Sequence, residues 1–166
     1  GYNALGGDTL GNRSVAIGYE TLKAQNFTSA TSSNNTAVGF HAGNDVTTGT
    51  NNTLIGANAA DKTTTGINNV AVGSQSLGAN TSGGNNVAVG TNALDANTTA
   101  SNNVAVGANA LLVNTTGTRN TALGATALDG NTTASDNTAI GYQALGALST
   151  GAANTVLGSQ ALDAST

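Results

Sequence analysis

Asn85-Asn86-Val87-Ala88-Val89-Gly90 returns unchanged as Asn102-Asn103-Val104-Ala105-Val106-Gly107, and earlier as Asn68-Asn69-Val70-Ala71-Val72-Gly73. The step is 17 residues. Outward from these copies the phrase persists as NNTAVG, NNTLIG, RNTALG, DNTAIG and ANTVLG. Gly39, Gly56, Gly73, Gly90, Gly107, Gly124, Gly141 and Gly158 all lie on the 17-residue grid, as do Gly1 and Gly18. One step is longer: 21 residues separate Gly18 from Gly39. A unit of this length repeated end to end is the mark of a solenoid. The expectation is one all-β parallel solenoid domain over residues 1–166. It has about ten coils, with a four-residue insertion within 18–38, and is a piece of a longer fibrous protein.

The columns of the repeat supply the rest. Before each glycine stands a bulky apolar residue: Ile17, Val38, Ile55, Val72, Val89, Val106, Leu123, Ile140 or Leu157. Two residues earlier stands valine or threonine, and between them usually alanine. Val, Ile and Thr suit a strand. Alternation puts the two bulky columns on one face and the alanine column on the other. Both faces are largely apolar, so the strand is expected to be buried on both. One face looks into the coil, and the cheapest cover for the other is another copy of the chain. After the glycine, alanine beside leucine recurs (Ala93-Leu94, Ala110-Leu111, Ala127-Leu128), a small-beside-large pattern for a narrow core. Too few residues separate the breakers there for a helix. The remainder reads as turn. Gly49, Gly66, Gly83, Gly117 and Gly151 share a column with Ala100 and Ala134, so that position does not demand a positive φ.

Two columns are candidates for function. Asn35, Asn52, Asn69, Asn86, Asn103, Asn120, Asn137 and Asn154 stand four residues before the glycine. Stacked at strand spacing, each amide reaches the next, which predicts a structural asparagine ladder at a coil corner. Tyr2, Tyr19 and Phe40 follow the glycine in consecutive coils. They predict a stacked aromatic row, the candidate ligand-binding residues, suited to a sugar ring or a protein partner. Asp95, Asp129 and Asp163 share a third column and read as a solvated edge that discourages aggregation.

Several function classes are excluded by composition. Four scattered basic residues against eight acidic ones, net charge −4, give no basic stripe for nucleic acid. No apolar run reaches the length of a membrane span. One histidine and no cysteine leave no zinc cluster and no nucleophilic triad. Glu20 is the only glutamate, which argues against a paired-carboxylate glycosidase. No catalytic residue, metal or cofactor is expected, and the chain does not read as an enzyme. Gly6 to Asn12 (GGDTLGN) lacks the recurring aspartates of a calcium β-roll. The adjacent pairs Thr98-Thr99, Thr115-Thr116 and Thr132-Thr133 suggest an ice-binding solenoid as a remote alternative, against which a flat array needs two threonines on one face, two residues apart.

Ser14-Val15-Ala16-Ile17-Gly18, with the NTAVG and NTAIG variants, resembles the head repeats of trimeric autotransporter adhesins of the YadA-like kind. Similar repeats occur in phage tail fibres. The resemblance covers nearly the whole chain. It implies a left-handed parallel β-roll, three chains side by side, and attachment to a host receptor, matrix protein or glycan from a bacterial cell surface. A virion tail fibre or a passive stalk is the alternative. The repeat of 17 residues is longer than that family's usual unit, which implies a longer turn, and the match lies in structural columns, so the family's binding residues are not carried over.

Overall fold

The computed structural model describes residues 1–147 and 150–163. The chain is a parallel β-solenoid in which each 17-residue coil contributes one three-residue strand. Nine of these strands form one sheet: β2 (Val15–Ile17), β4 (Thr36–Val38), β5 (Thr53–Ile55), β6 (Val70–Val72), β7 (Val87–Val89), β8 (Val104–Val106), β9 (Thr121–Leu123), β10 (Thr138–Ile140) and β11 (Thr155–Leu157). Pairing is parallel and in register, column on column: Val87 faces Val104, Ala88 faces Ala105, Val89 faces Val106. A second, two-stranded parallel sheet pairs β1 (Gly11–Asn12) with β3 (Thr31–Ser32), so the inserted coil adds a strand of its own. Among the described residues no helix is long and apolar enough to cross a membrane.

The alanine column faces inward. Ala37, Leu54, Ala71, Ala88, Ala105, Ala122 and Ala139 are fully buried. They pack on Leu22, Leu77, Leu94, Leu111, Leu128 and Leu145 from the turn after the glycine. Volume is conserved where the pattern changes. Leu54 replaces the usual alanine, and the leucine column next to it shrinks to Gly43 and Ala60. A Cβ on Gly43 would lie 2.6 Å from Leu54 Cδ1, so the large residue has moved from one column to the other.

The expectation that both strand faces are buried holds on one side only. The outward columns are half-buried or exposed, with Ile17 59% and Leu123 46% accessible, because nothing in a single chain covers them.

The small–large segment is not a strand. Leu22, Leu77, Leu94, Leu111, Leu128 and Leu145 have φ between 49° and 57°, and the residue two before each is left-handed as well. Left-handed backbone costs a residue with a Cβ about 1–2 kcal/mol. Full burial of the leucine side chain returns about 1.5–3 kcal/mol, which offsets the strain at the leucine itself. Axial hydrogen bonds hold this turn too: Leu94 N–H donates to Ala110 O at 3.0 Å and Asn92 N–H to Ser74 O at 3.0 Å. None of Gly49, Gly66, Gly83, Gly117 or Gly151 has positive φ, as the alanines at 100 and 134 require.

Candidate functional site

The asparagine column is a continuous internal ladder. Asn35, Asn52, Asn86, Asn103, Asn120 and Asn137 are fully buried. The link between coils is not chiefly amide to amide. Asn103 Oδ1 accepts the backbone N–H of Asn120 at 2.9 Å, while its Nδ2 donates to Gly117 O at 2.9 Å. The same two bonds recur at Asn52, Asn69, Asn86 and Asn120. A side-chain amide fits because the chain bends here and the preceding residue is left-handed (Asn102 φ 64°), which leaves backbone groups without strand partners.

A second buried amide column went unread in the sequence. Asn80, Asn97, Asn114 and Asn131 are also fully buried. Asn97 Nδ2 donates to Asn80 Oδ1 at 3.0 Å and Asn131 Nδ2 to Asn114 Oδ1 at 2.9 Å. Each also donates to the turn carbonyl that the first column uses: Asn114 Nδ2 lies 3.0 Å from Gly117 O. Two amides from opposite sides therefore clamp one carbonyl per coil. Asn97, Asn114 and Asn131 head Asn-Thr-Thr triplets and Asn80 an Asn-Thr-Ser triplet. The Nδ2 atoms of these four are buried and bonded, which closes them to glycosylation in the folded chain. Asn131 Oδ1 is the one buried side-chain polar atom without a partner among the described residues.

At the other end the insertion closes the ladder. Gln25 is fully buried. Its Oε1 accepts from Asn35 Nδ2 at 2.8 Å, and its Nε2 donates to Asp8 Oδ2. Ser14, which holds the asparagine position in its coil, shares a 2.7 Å hydrogen bond with Ser33.

Tyr2, Tyr19 and Phe40 are brought together as a stacked row. Their ring centroids are 5.3 and 5.5 Å apart and the planes lie within 15°. His41 stacks on Phe40 at 4.0 Å, and its Nε2 lies 3.3 Å from Glu20 Oε2. Glu20 also pairs with Lys23 at 3.0 Å, which holds its carboxyl below the ordinary value. Tyr2 and Phe40 stack on either side of Tyr19, and Tyr2 at the end of the row is 71% exposed, so the row offers ring surface to a sugar or to a protein partner. Tyr142, also exposed, stands apart from them in its column, between Ala125 and Ser159.

The aspartate column departs from a solvated edge. It includes Asp61, so Asp61, Asp95, Asp129 and Asp163 recur every second coil, with Gly78, Leu112 and Gly146 between them. Gly78 opens a notch of about 340 Å³ lined by Asn58, Asp61, Lys62, Gln75, Gly78, Ala79 and Asp95. Burial, and secondarily the charge of Asp61, holds the Asp95 carboxyl above its ordinary value. Burial does the same to Asp129, despite opposing backbone hydrogen bonds. A raised folded pKa means that ionisation favours the unfolded chain, so stability at Asp95 falls as pH rises through the folded value. Asp95→Asn is therefore expected to raise the thermal midpoint at pH 7, and the gain should shrink as pH drops below the unfolded value near 3.8. Parallel melts of the two proteins at pH 7 and pH 3 check this.

No family model, curated protein or solved structure matches this chain.

Proposed function

We propose that the chain is a rod segment of an extracellular adhesin or surface fibre, assembled from three copies side by side. The observation that carries this reading is the outward face of the nine-stranded sheet. Its two columns of Val, Thr, Ile and Leu run unbroken from Val15 and Ile17 to Thr155 and Leu157. Eight strand steps make that strip about 38 Å long. Parallel sheets are normally covered on both faces, and a continuous, largely apolar strip of this length that is half-buried to exposed fits an interaction surface. The strip carries no charge, and a second copy presents the same strip in the same register. The number three, the left-handed coil, the surface location and the attachment role rest on the resemblance of SVAIG and NTAVG to adhesin head repeats. Attachment would then draw on three parallel sets of repeated side chains, so that weak contacts add as avidity. A receptor, matrix protein or glycan would meet the remaining surface.

Absolute mass in solution tests the assembly. The expected value is three times the 16.0 kDa chain mass. Val72→Lys combined with Val106→Lys places charges in the strip and should release 16.0 kDa monomers that keep their β-sheet circular dichroism. A wild-type chain that is monomeric at all concentrations overturns the reading.

A further inference from the structure

We propose that the notch at Gly78 binds a neutral hexose unit of a glycan. Gly78 stands in the column where the coils on either side carry Asp61 and Asp95. With no side chain in the middle coil, a space of about 340 Å³ opens, in the size range of small-molecule pockets. The same column shows what closes such a space: Leu112 fills the place between Asp95 and Asp129. The second gap, at Gly146, lacks the surrounding groups, with Gly130 in the place of Lys62 and Thr126 in the place of Asn58. The notch at Gly78 is therefore distinct within a chain of near-identical coils.

The lining selects a neutral, polyhydroxylated ligand. Asn58, Gln75 and Lys62 supply donors, while Asp61 and Asp95 supply acceptors. A sugar hydroxyl donates and accepts at once, so it uses both kinds. Asp95 Oδ1 leans over Gly78, where a Cβ would touch it. Among the described residues neither that carboxylate nor the side-chain amides of Asn58 and Gln75 have a hydrogen bond or ion pair of their own. Gly78 and Ala79 add no polar side chain, which leaves a floor for the C–H face of a sugar ring. Charged ligands fit less well. Lys62 Nζ lies 3.4 Å from Asp61 Oδ2 and 3.4 Å from Asp45 Oδ2, so a fixed ammonium already opposes a metal ion. Two carboxylates oppose a phosphate or an acidic sugar.

An open aromatic face adjoins the notch. Tyr19 and His41 both stack on Phe40, and their own centroids are 5.7 Å apart. Rings on opposite faces of Phe40 would be separated by about 7 Å, twice a contact distance of about 3.5 Å. Both therefore lie on one side. The other face of Phe40 looks toward Ala57, the next residue in its column, which has no ring to cover it. Asn58 follows Ala57, donates its N–H to Phe40 O at 2.8 Å and lines the notch. Apolar ring surface beside a few convergent polar groups is the usual make-up of a small-ligand site. The inference gives the attachment reading a ligand class and rests on that reading for its role. It does not rest on assembly, because every lining residue belongs to one chain and to columns other than the strip.

The measurement is an amide NMR titration of the full chain with the methyl glycosides of glucose, galactose and mannose, each taken into the tens of millimolar. At least one should shift the Gly78 N–H and the side-chain amides of Asn58 and Gln75 along a saturable, millimolar curve, the strength expected where one small ring is gripped. Gly78→Leu reproduces the arrangement at Leu112, between two aspartates, so it should fold and should weaken binding about tenfold or more. Val113→Lys, exposed two coils further along the column of Ala79, should bind as the wild type does. No saturable shift with any of the three glycosides, or shifts that Gly78→Leu leaves unchanged, overturn the proposal. Calcium or free arginine moving these resonances when no glycoside does also overturns it, by making the notch a cation site. Solution mass reports assembly and not this binding, so either reading can fail without the other.

Discussion

Gly90→Ala is expected to break the solenoid near its middle, at a cost above about 3 kcal/mol. Two effects combine. Gly90 has φ 135°, in a region that side chains rarely enter. A Cβ there would also sit 2.5 Å from the carbonyl oxygen of Gly107 in the next coil. That oxygen cannot step aside, because coil-to-coil spacing is set by the parallel ladder: Gly90 N–H itself donates to Val72 O at 2.8 Å. The clash is therefore relieved only by parting two coils. Because each coil contacts only its neighbours, the damage should separate the array into two shorter blocks. Urea titration followed by circular dichroism should show a lower midpoint and a broadened transition. Gly78→Ala is the control. Its Cβ would approach Asp95 Oδ1 at 2.4 Å, but this is the tip of a mobile side chain, and Gly78 does not have positive φ. Its cost should stay below about 1 kcal/mol. Equal losses for the two variants would show that the glycine grid does not set the coil spacing.

The grid was legible because glycine is the one residue that this conformation admits, so the chain repeats it without exception from Gly39 to Gly158. Strand position and the stacking of Tyr2, Tyr19 and Phe40 were legible for a related reason: a fixed step makes every column a contact. Other features were hidden. Leu77 and Leu94 sit at positive φ, which nothing in a leucine announces, since bulky residues are rare there. Asn97 and Asn114 looked like ordinary turn residues, and only depth distinguishes a buried amide from a solvated one. The inward face could not be chosen from composition, because both faces of VAV are apolar. Alanine faces in because the narrow coil has room beside it for one leucine and no more. The two-coil step of Asp61, Asp95, Asp129 and Asp163 was present in the sequence as a spacing of 34. The 17-residue grid collected Asp95, Asp129 and Asp163 into one column but not Asp61, whose lysine neighbour marks its coil as different.

The shared carbonyl of Gly117 makes the second large effect measurable as a coupling. Asn103→Ala removes the acceptor of the Asn120 N–H and one of two donors to Gly117 O. The stranded N–H is buried, so the expected loss is about 2–3 kcal/mol. Asn114→Ala leaves Asn97 Oδ1 without its donor and takes the other amide from Gly117. Asn131 Nδ2 still reaches Ala134 O at 3.1 Å, so this variant should lose about 1–2 kcal/mol. After either single change Gly117 O keeps one partner, and after both it has none of the two. The double variant should therefore exceed the sum of the singles by about 1 kcal/mol. Equilibrium unfolding of the four proteins supplies the cycle. A simple sum would mean that each amide serves its own column and that the carbonyl is satisfied independently of them. A shortfall would mean that the enlarged space admits water, which then bonds Gly117 in place of both asparagines. Only an excess fits a turn held in place by two amides acting on one oxygen.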